Sequence, residues 1–108
     1  MPKAKFYGND QAKKLIITWG SPTGPVLEAL KDQSDYGLLQ IRSVWPIDPN
    51  LKLLIKPFKD ITVIENNATS QLTTLLKSQF DFNPSKIVLK FDGRPFFPEE
   101  IKEHLKIL

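Results

Sequence analysis

Short apolar runs that alternate with helical patterns are the feature that most constrains the fold of this 108-residue chain. Runs rich in β-branched residues predict strands at LIITW (15–19), GLLQIR (37–42), DITVIE (60–65) and KIVLKF (86–91). The first and third are apolar almost throughout, which is typical of strands covered on both faces. Because parallel strands need a crossover connection, usually a helix, the alternation predicts an α/β sandwich with a largely parallel sheet.

Apolar side chains that recur every three or four residues predict a helix after each of these strands. The members of these stripes are Val26, Leu27 and Leu30; Leu51, Leu54, Ile55 and Phe58; Leu72, Leu75, Leu76 and Phe80; and Ile101 and Leu105. Asp48 and Pro49 predict the start of the second helix, as its N-cap and first helical position. Pro98 opens the last helix, with Glu99 and Glu100 at its positive end.

The N-terminal residues 1–14 are polar and lack periodicity, so we interpret them as a linker or arm before one domain at residues 15–108. No apolar run approaches the roughly 18 residues that a membrane span needs. The start of the chain, MPKAKFYGND, lacks the apolar region of a secretory signal. These features predict a cytoplasmic protein that has no membrane partner.

Cysteine is absent, and this removes several kinds of chemistry from the candidate functions. The chain cannot supply a cysteine nucleophile or the ligands of a cysteine-bound iron–sulfur cluster. If the protein takes part in electron transfer, the redox centres must lie elsewhere. The only histidine, His104, lies in a charged helix and is expected to be a solvated surface residue. The net charge is +3, but the lysines are scattered and do not form the basic stripe of a nucleic-acid-binding surface.

A functional edge is expected in the loops after the predicted strands, because sites in open α/β sheets gather beyond the carboxyl ends of strands. The residues that we assign to this candidate docking edge are Trp19, Gly20, Ser21, Trp45, Glu65, Asn66, Asn67 and Arg94. Aromatic, amide and arginine side chains suit an interface, although the aromatics equally suit a role in covering the ends of the core. Glu65 has no histidine or second carboxylate beside it in the sequence, so we predict no catalytic residue at this edge.

The loop GSPTG (20–24) raises an alternative, since helix N-termini attract anions. The loop matches neither of the glycine-rich phosphate-binding motifs, and a capping role for Ser21 or Thr23 is the favoured interpretation. The alternative function is an independent small-ligand or anion-binding module that uses the helix N-termini around Ser21 and Ala68.

Four stretches, taken with their order and spacing, carry a family resemblance: ITWGSPTGPVLEAL, LLQIRSVWPI, VIENNATSQLTTLL and KFDGRPFFPEEI. They resemble the C-terminal domain of the alpha subunit of 2-oxoacid:ferredoxin oxidoreductases of the pyruvate, 2-oxoglutarate and 2-ketoisovalerate type. The similarity runs from about Leu15 to Ile101. It implies a transketolase C-terminal-like fold, a three-layer α/β/α sandwich whose mostly parallel sheet has about five strands, one of them antiparallel. One departure is Phe97, which stands where the family commonly has a threonine before Pro-Glu-Glu.

The resemblance also implies a place in a larger enzyme. Such enzymes use thiamine diphosphate, Mg²⁺ and iron–sulfur clusters to convert a 2-oxoacid to an acyl-CoA while reducing ferredoxin. The thiamine site lies between the N-terminal domain of the alpha subunit and the beta subunit. We therefore expect a separated domain that is noncatalytic, binds no cofactor and supports assembly. Its expected partners are the N-terminal thiamine-binding domain, the beta subunit and the other subunits, in a complex that uses CoA and ferredoxin.

Overall fold

A computed structural model describes residues 4–8, 11–19, 23–31, 33–41, 50–65, 74, 77–78, 84–89 and 97–106. The strands are β1 (Ala4–Gly8), β2 (Lys14–Trp19), β3 (Tyr36–Ile41), β4 (Asp60–Glu65) and β5 (Lys86–Leu89). The helices are α1 (Thr23–Ala29), α2 (Asn50–Ile55) and α3 (Pro98–Leu105). Thr74, Lys77 and Ser78 also have helical backbone, within the third predicted helix.

The five strands form one mixed sheet in the order β1-β3-β2-β4-β5. Strand β2 pairs in parallel with both β3 and β4, and β4 pairs in parallel with β5. Only β1 is antiparallel, and it pairs with β3 at one margin of the sheet. This topology confirms the predicted fold class, a mostly parallel α/β sandwich with one antiparallel strand.

Strand β1 lies in the segment that the sequence predicted to be a linker or arm, so that interpretation missed a strand. Phe6 packs against the core on one face of the sheet and Tyr7 packs against the core on the other. A five-residue marginal strand with two adjacent aromatics has too short a pattern for periodicity to reveal it. The boundary of the domain as a whole stays a prediction.

The core has two halves because successive side chains of a strand point to opposite faces of the sheet. One face, here called the α2 face, is built from Leu15, Ile17, Leu39, Ile41, Leu51, Ile55, Phe58, Ile61 and Val63. The opposite α1/α3 face is built from Ile16, Val26, Ala29, Leu30, Leu38, Ile64, Val88 and Ile101. Helices therefore cover both faces, which explains the continuous apolar runs of β2 and β4.

Two leucines of the predicted helix stripes are more exposed than expected. Leu27 in α1 is 37% exposed and Leu54 in α2 is 41% exposed. A helix turns by about 100° per residue, so each of them lies at the border of its buried stripe rather than at its centre. The rest of both stripes is buried, and Ile101 is buried in α3 as predicted. The stripe at Leu72, Leu75, Leu76 and Phe80, and the helix start at Asp48 and Pro49, lie outside the described residues.

A close contact fixes β1 to the α2 face. The ring of Phe6 lies over Gly37, where a β-carbon would come within 2.5 Å of the Phe6 Cζ atom. The same ring stacks on Phe58, with ring centroids 6.3 Å apart and an interplanar angle of 26°. Gly37 therefore makes room for the aromatic pair that joins the marginal strand to the segment following α2.

Candidate functional site

The carboxyl ends of the parallel strands meet at one edge of the sheet, as the sequence predicted. In the strand register, Trp19 lies opposite Ile41, Thr18 lies opposite Ile64, and Glu65 lies opposite Leu89. Trp19 and Glu65 are the last residues of the neighbouring strands β2 and β4. The structure thus brings the main chains of these two members of the candidate docking edge together.

The other members of the candidate docking edge, Gly20, Ser21, Trp45, Asn66, Asn67 and Arg94, lie outside the described residues. Each follows the end of a parallel strand by no more than five residues.

Glu65 is only 1% exposed, although it ends a strand at a sheet edge. A buried carboxylate is costly unless hydrogen bonds compensate for its lost hydration. Among the described residues, no buried side-chain nitrogen or oxygen lacks a hydrogen-bond partner, and Glu65 has an interaction within the chain. This burial fits a role in bracing the turn after β4 better than a role as a solvent-accessible general base.

Sequence reasoning missed a group of basic side chains at the opposite, amino edge of the sheet. Lys14 opens β2, Lys86 opens β5, and His104 and Lys106 lie at the end of α3, all lining one cleft. These residues are far apart in the sequence, and only the strand register and the packing of α3 bring them together. The one usable signal was that Lys14 and Lys86 each stand directly before a predicted apolar run.

Metal binding and membrane insertion find no support in the described part of the chain. Its residues include no group of three or more His, Cys, Asp or Glu side chains that could hold a metal ion. Of its helices, none has the length and apolar character needed to cross a bilayer.

Comparison with known proteins identifies the relatives of the chain, although no protein-family model matches it. The alpha subunit of 2-oxoacid:ferredoxin oxidoreductase 1 from Sulfurisphaera tokodaii is 37% identical over 105 residues, which cover 95% of this chain. The corresponding alpha subunit from Saccharolobus solfataricus is 35% identical over 109 residues, which cover 96% of this chain. The chain is homologous to a segment of the alpha subunit of 2-oxoacid:ferredoxin oxidoreductases. It spans 17% of the length of each of these two relatives.

Solved structures of 2-oxoacid:ferredoxin oxidoreductases share this fold. The 2-oxoglutarate:ferredoxin oxidoreductase from Magnetococcus marinus, with 2-oxoglutarate, coenzyme A and succinyl-CoA bound, has a TM-score of 0.85 at 26% identity. That match covers 98% of this chain and 19% of the other. The alpha chain of a probable 2-oxoacid ferredoxin oxidoreductase from Thermoplasma acidophilum has a TM-score of 0.63 at 26% identity, with 96% and 94% covered.

A transketolase from Campylobacter jejuni has a TM-score of 0.59 over 94% of this chain and 16% of its own. At 13% identity, this likeness concerns the fold alone. Together with the relatives above, it confirms the resemblance that the sequence motifs indicated and the transketolase C-terminal-like fold that the resemblance implied.

Proposed function

We propose that the chain is a noncatalytic domain that supports assembly of a thiamine-diphosphate-dependent 2-oxoacid:ferredoxin oxidoreductase. The complete cytoplasmic complex would convert a 2-oxoacid to an acyl-CoA and reduce ferredoxin. The observation that carries the proposal is the asymmetry of the sequence match, which covers 95% of this chain but only 17% of the Sulfurisphaera tokodaii alpha subunit. The chain therefore corresponds to a small part of a much larger subunit.

The composition of the chain supports placing the redox chemistry in other parts of the complex. Iron–sulfur clusters are held mainly by cysteine thiolates, and the chain has no cysteine. The described residues also offer no set of side chains that fits a metal ion. We therefore assign thiamine diphosphate, Mg²⁺ and the clusters to the N-terminal domain of the alpha subunit and to its partner subunits.

The geometry of the carboxyl edge supports the docking role. Trp19 and Glu65 end adjacent parallel strands, and an interaction within the chain compensates for the burial of Glu65 at one of the strand ends from which the loops of the candidate docking edge leave. Loops that start from fixed strand ends lose less conformational entropy when a partner binds. The N-terminal thiamine-binding domain and the beta subunit are the partners that we propose for this edge.

Arg94→Ala tests the docking role. An arginine that pairs with a carboxylate of a partner subunit contributes to assembly of the complex more than to stability of the chain alone. We expect the variant to weaken assembly of the reconstituted complex by about 2–5 kcal/mol and to leave thermal unfolding of the chain alone nearly unchanged. Lys56→Ala is the matched control, since this exposed lysine follows α2 and lies four residues before β4 begins, towards the other edge. Co-purification and sedimentation would measure the difference.

Two results would contradict the proposal. A complex of the Arg94→Ala variant that assembles normally but loses turnover would assign chemistry to this edge. Calorimetry that finds thiamine diphosphate and Mg²⁺ binding to the chain alone, tighter than about 10 μM, would show that it carries the cofactor site itself.

A further inference from the structure

The cleft at the amino edge is built where four parallel strands begin. Lys14 lies opposite Tyr36 on one side and Asp60 on the other, while Lys86 lies opposite Thr62. By strand alternation these side chains share the α1/α3 face. The C-terminal end of α3 adds His104 and Lys106 and completes a basic cleft of about 280 Å³.

The charge of this basic cleft is positive, because three lysines and one aspartate line it. The described contacts of two of these lysines are with neutral groups. The Lys14 ammonium lies 5.2 Å from the centroid of the Tyr36 ring, and the Lys86 ammonium donates to the main-chain oxygen of His104. Each ammonium has three N–H donors, so these two contacts by themselves do not use all the donors of either lysine.

An apolar groove of about 520 Å³ adjoins the basic cleft. Leu27, Leu30 and Leu38 line it, together with Tyr7, whose hydroxyl donates to Gln40 Oε1 at 3.3 Å. Its polar lining residues are Lys31, Gln33 and Ser34. Tyr36 lines both spaces, so the mostly apolar groove and the basic cleft adjoin at this side chain.

We propose that this surface binds a small organic phosphate, with the phosphate in the basic cleft and the apolar or aromatic part of the ligand in the groove beyond Tyr36. Lysine binds phosphate as a point charge, and three lysines around one cleft suit a divalent anion. Mostly apolar walls with a few convergent polar groups are typical of small-molecule sites. The site lies at the opposite edge of the sheet from the candidate docking edge, so it does not depend on the proposed assembly function.

Some of the lysines in the basic cleft can be explained by their favourable interaction with the partial negative charge at the C-terminal end of α3, but not all of them. Cationic side chains commonly interact with the last carbonyls of a helix, which accounts for Lys86 and for Lys106 at the C-cap. Lys14 belongs to β2, and its ammonium lies over Tyr36, at the border with the groove. Lys14 is therefore the residue that best separates ligand binding from helix stabilisation.

Titration of the purified chain with inorganic phosphate and with phenyl phosphate at low ionic strength tests the site. The amide NMR signals of Tyr36, Thr62 and Lys86 should shift. We expect phenyl phosphate to bind about three- to tenfold more tightly than phosphate, because its ring buries apolar surface in the groove. Lys14→Gln should weaken both probes by about three- to tenfold. Leu27→Asn should abolish only the advantage of phenyl phosphate.

The control is Lys56→Gln, which removes an equal charge from an exposed residue that lines neither space. Equal weakening by Lys14→Gln and Lys56→Gln would overturn the proposal, since it would reveal diffuse attraction. If Lys14→Gln binds both probes as tightly as the natural chain, the proposal is also overturned, since the lysines would then contribute only to the stability of the fold. Equal affinity for the two probes would remove the groove from the site. If Lys14→Gln fails to fold by circular dichroism, Lys106→Gln, an exposed variant in the same cleft, gives the same comparison.

Discussion

The two faces of the sheet rest on the same strands but differ in the side chains that they combine. The α2 face carries a large apolar cluster, against which Phe6 packs from the marginal strand, and by strand alternation it also carries the buried Glu65 at the carboxyl end of β4. The α1/α3 face includes the tyrosines Tyr7 and Tyr36 at its border and the buried threonines Thr18 and Thr62. The basic cleft and the apolar groove both lie on this second face. The polar groups of the α2 face are therefore confined to a buried carboxyl group at the carboxyl edge, while the α1/α3 face carries two clefts at the amino edge that can bind a ligand.

Neighbouring isoleucines on β2 provide the largest test of this difference. Ile17 belongs to the α2 face and Ile16 to the α1/α3 face, and both are fully buried. Each change to alanine should lower the free energy of unfolding by about 2–5 kcal/mol. Ile17→Ala should cost about 1 kcal/mol more than Ile16→Ala. The cost of a cavity depends on how far the surrounding side chains can move to fill it. We expect α1 and α3 to move further into such a cavity than α2, because the clefts lie beside them.

Urea unfolding followed by circular dichroism would measure both values. The comparison depends on adjacent positions of one strand, so strand propensity and exposure are matched. A larger loss for Ile16→Ala would show that the face with the clefts is packed as rigidly as the other, and the distinction between the faces would fail.

The sequence predicted the strands but could not assign them to faces. LIITW is apolar at nearly every position, so its pattern indicates burial on both sides without distinguishing Ile16 from Ile17. Strand β1 escaped detection because it pairs with β3, about thirty residues away along the chain, where Gly37 accommodates Phe6. At the candidate docking edge, the expectation that parallel strands end at one common edge applies to Trp19 and Glu65, but the burial of Glu65 arises from tertiary packing. The basic cleft required the register of four strands, which no local pattern contains.

Two glycines, one on each side of the sheet, give an intermediate test. Gly37→Ala brings a β-carbon within 2.5 Å of Phe6 Cζ, and stacking on Phe58 restrains that ring. We expect a loss of about 1–3 kcal/mol in the free energy of unfolding. Gly24→Ala in α1 is the control, because nothing apart from its two chain neighbours lies within 4 Å of its added β-carbon. It should change the free energy of unfolding by less than about 0.5 kcal/mol, because the restriction that Pro25 places on the preceding residue opposes the gain in helix propensity.

A double-mutant cycle tests whether the clash with Phe6 causes the loss of stability in Gly37→Ala. In a Phe6→Ala background, Gly37→Ala should cost less than about 0.5 kcal/mol, because the clashing ring is absent. An unchanged cost in that background would mean that the glycine serves its own strand and that β1 does not depend on it.

The start of α3, on the α1/α3 face, offers the smallest and most specific test. Phe97 is the N-cap residue, and its N–H donates to Glu100 Oε1 at 3.2 Å, while its side chain supplies no cap hydrogen bond. Half of a capping box is therefore present. The ring is 54% exposed, so its removal sacrifices little buried surface. Phe97→Thr would add a hydroxyl that accepts from the Glu100 N–H and completes the box.

Comparison with Phe97→Ala isolates the hydroxyl, because both variants lose the ring. Threonine should be more stable than alanine by about 0.5–1 kcal/mol, measured by thermal unfolding. The gain is limited because the Glu100 N–H already donates to the Phe97 carbonyl oxygen at 3.0 Å. If both variants are less stable than the natural chain by the same amount, the ring packs against the α1/α3 face and the missing hydroxyl is immaterial. If threonine is more stable than alanine, as expected, the N-cap of α3 is incomplete in the natural chain. A single change at Phe97 would then stabilise the helix that completes the basic cleft without changing the lining of either cleft.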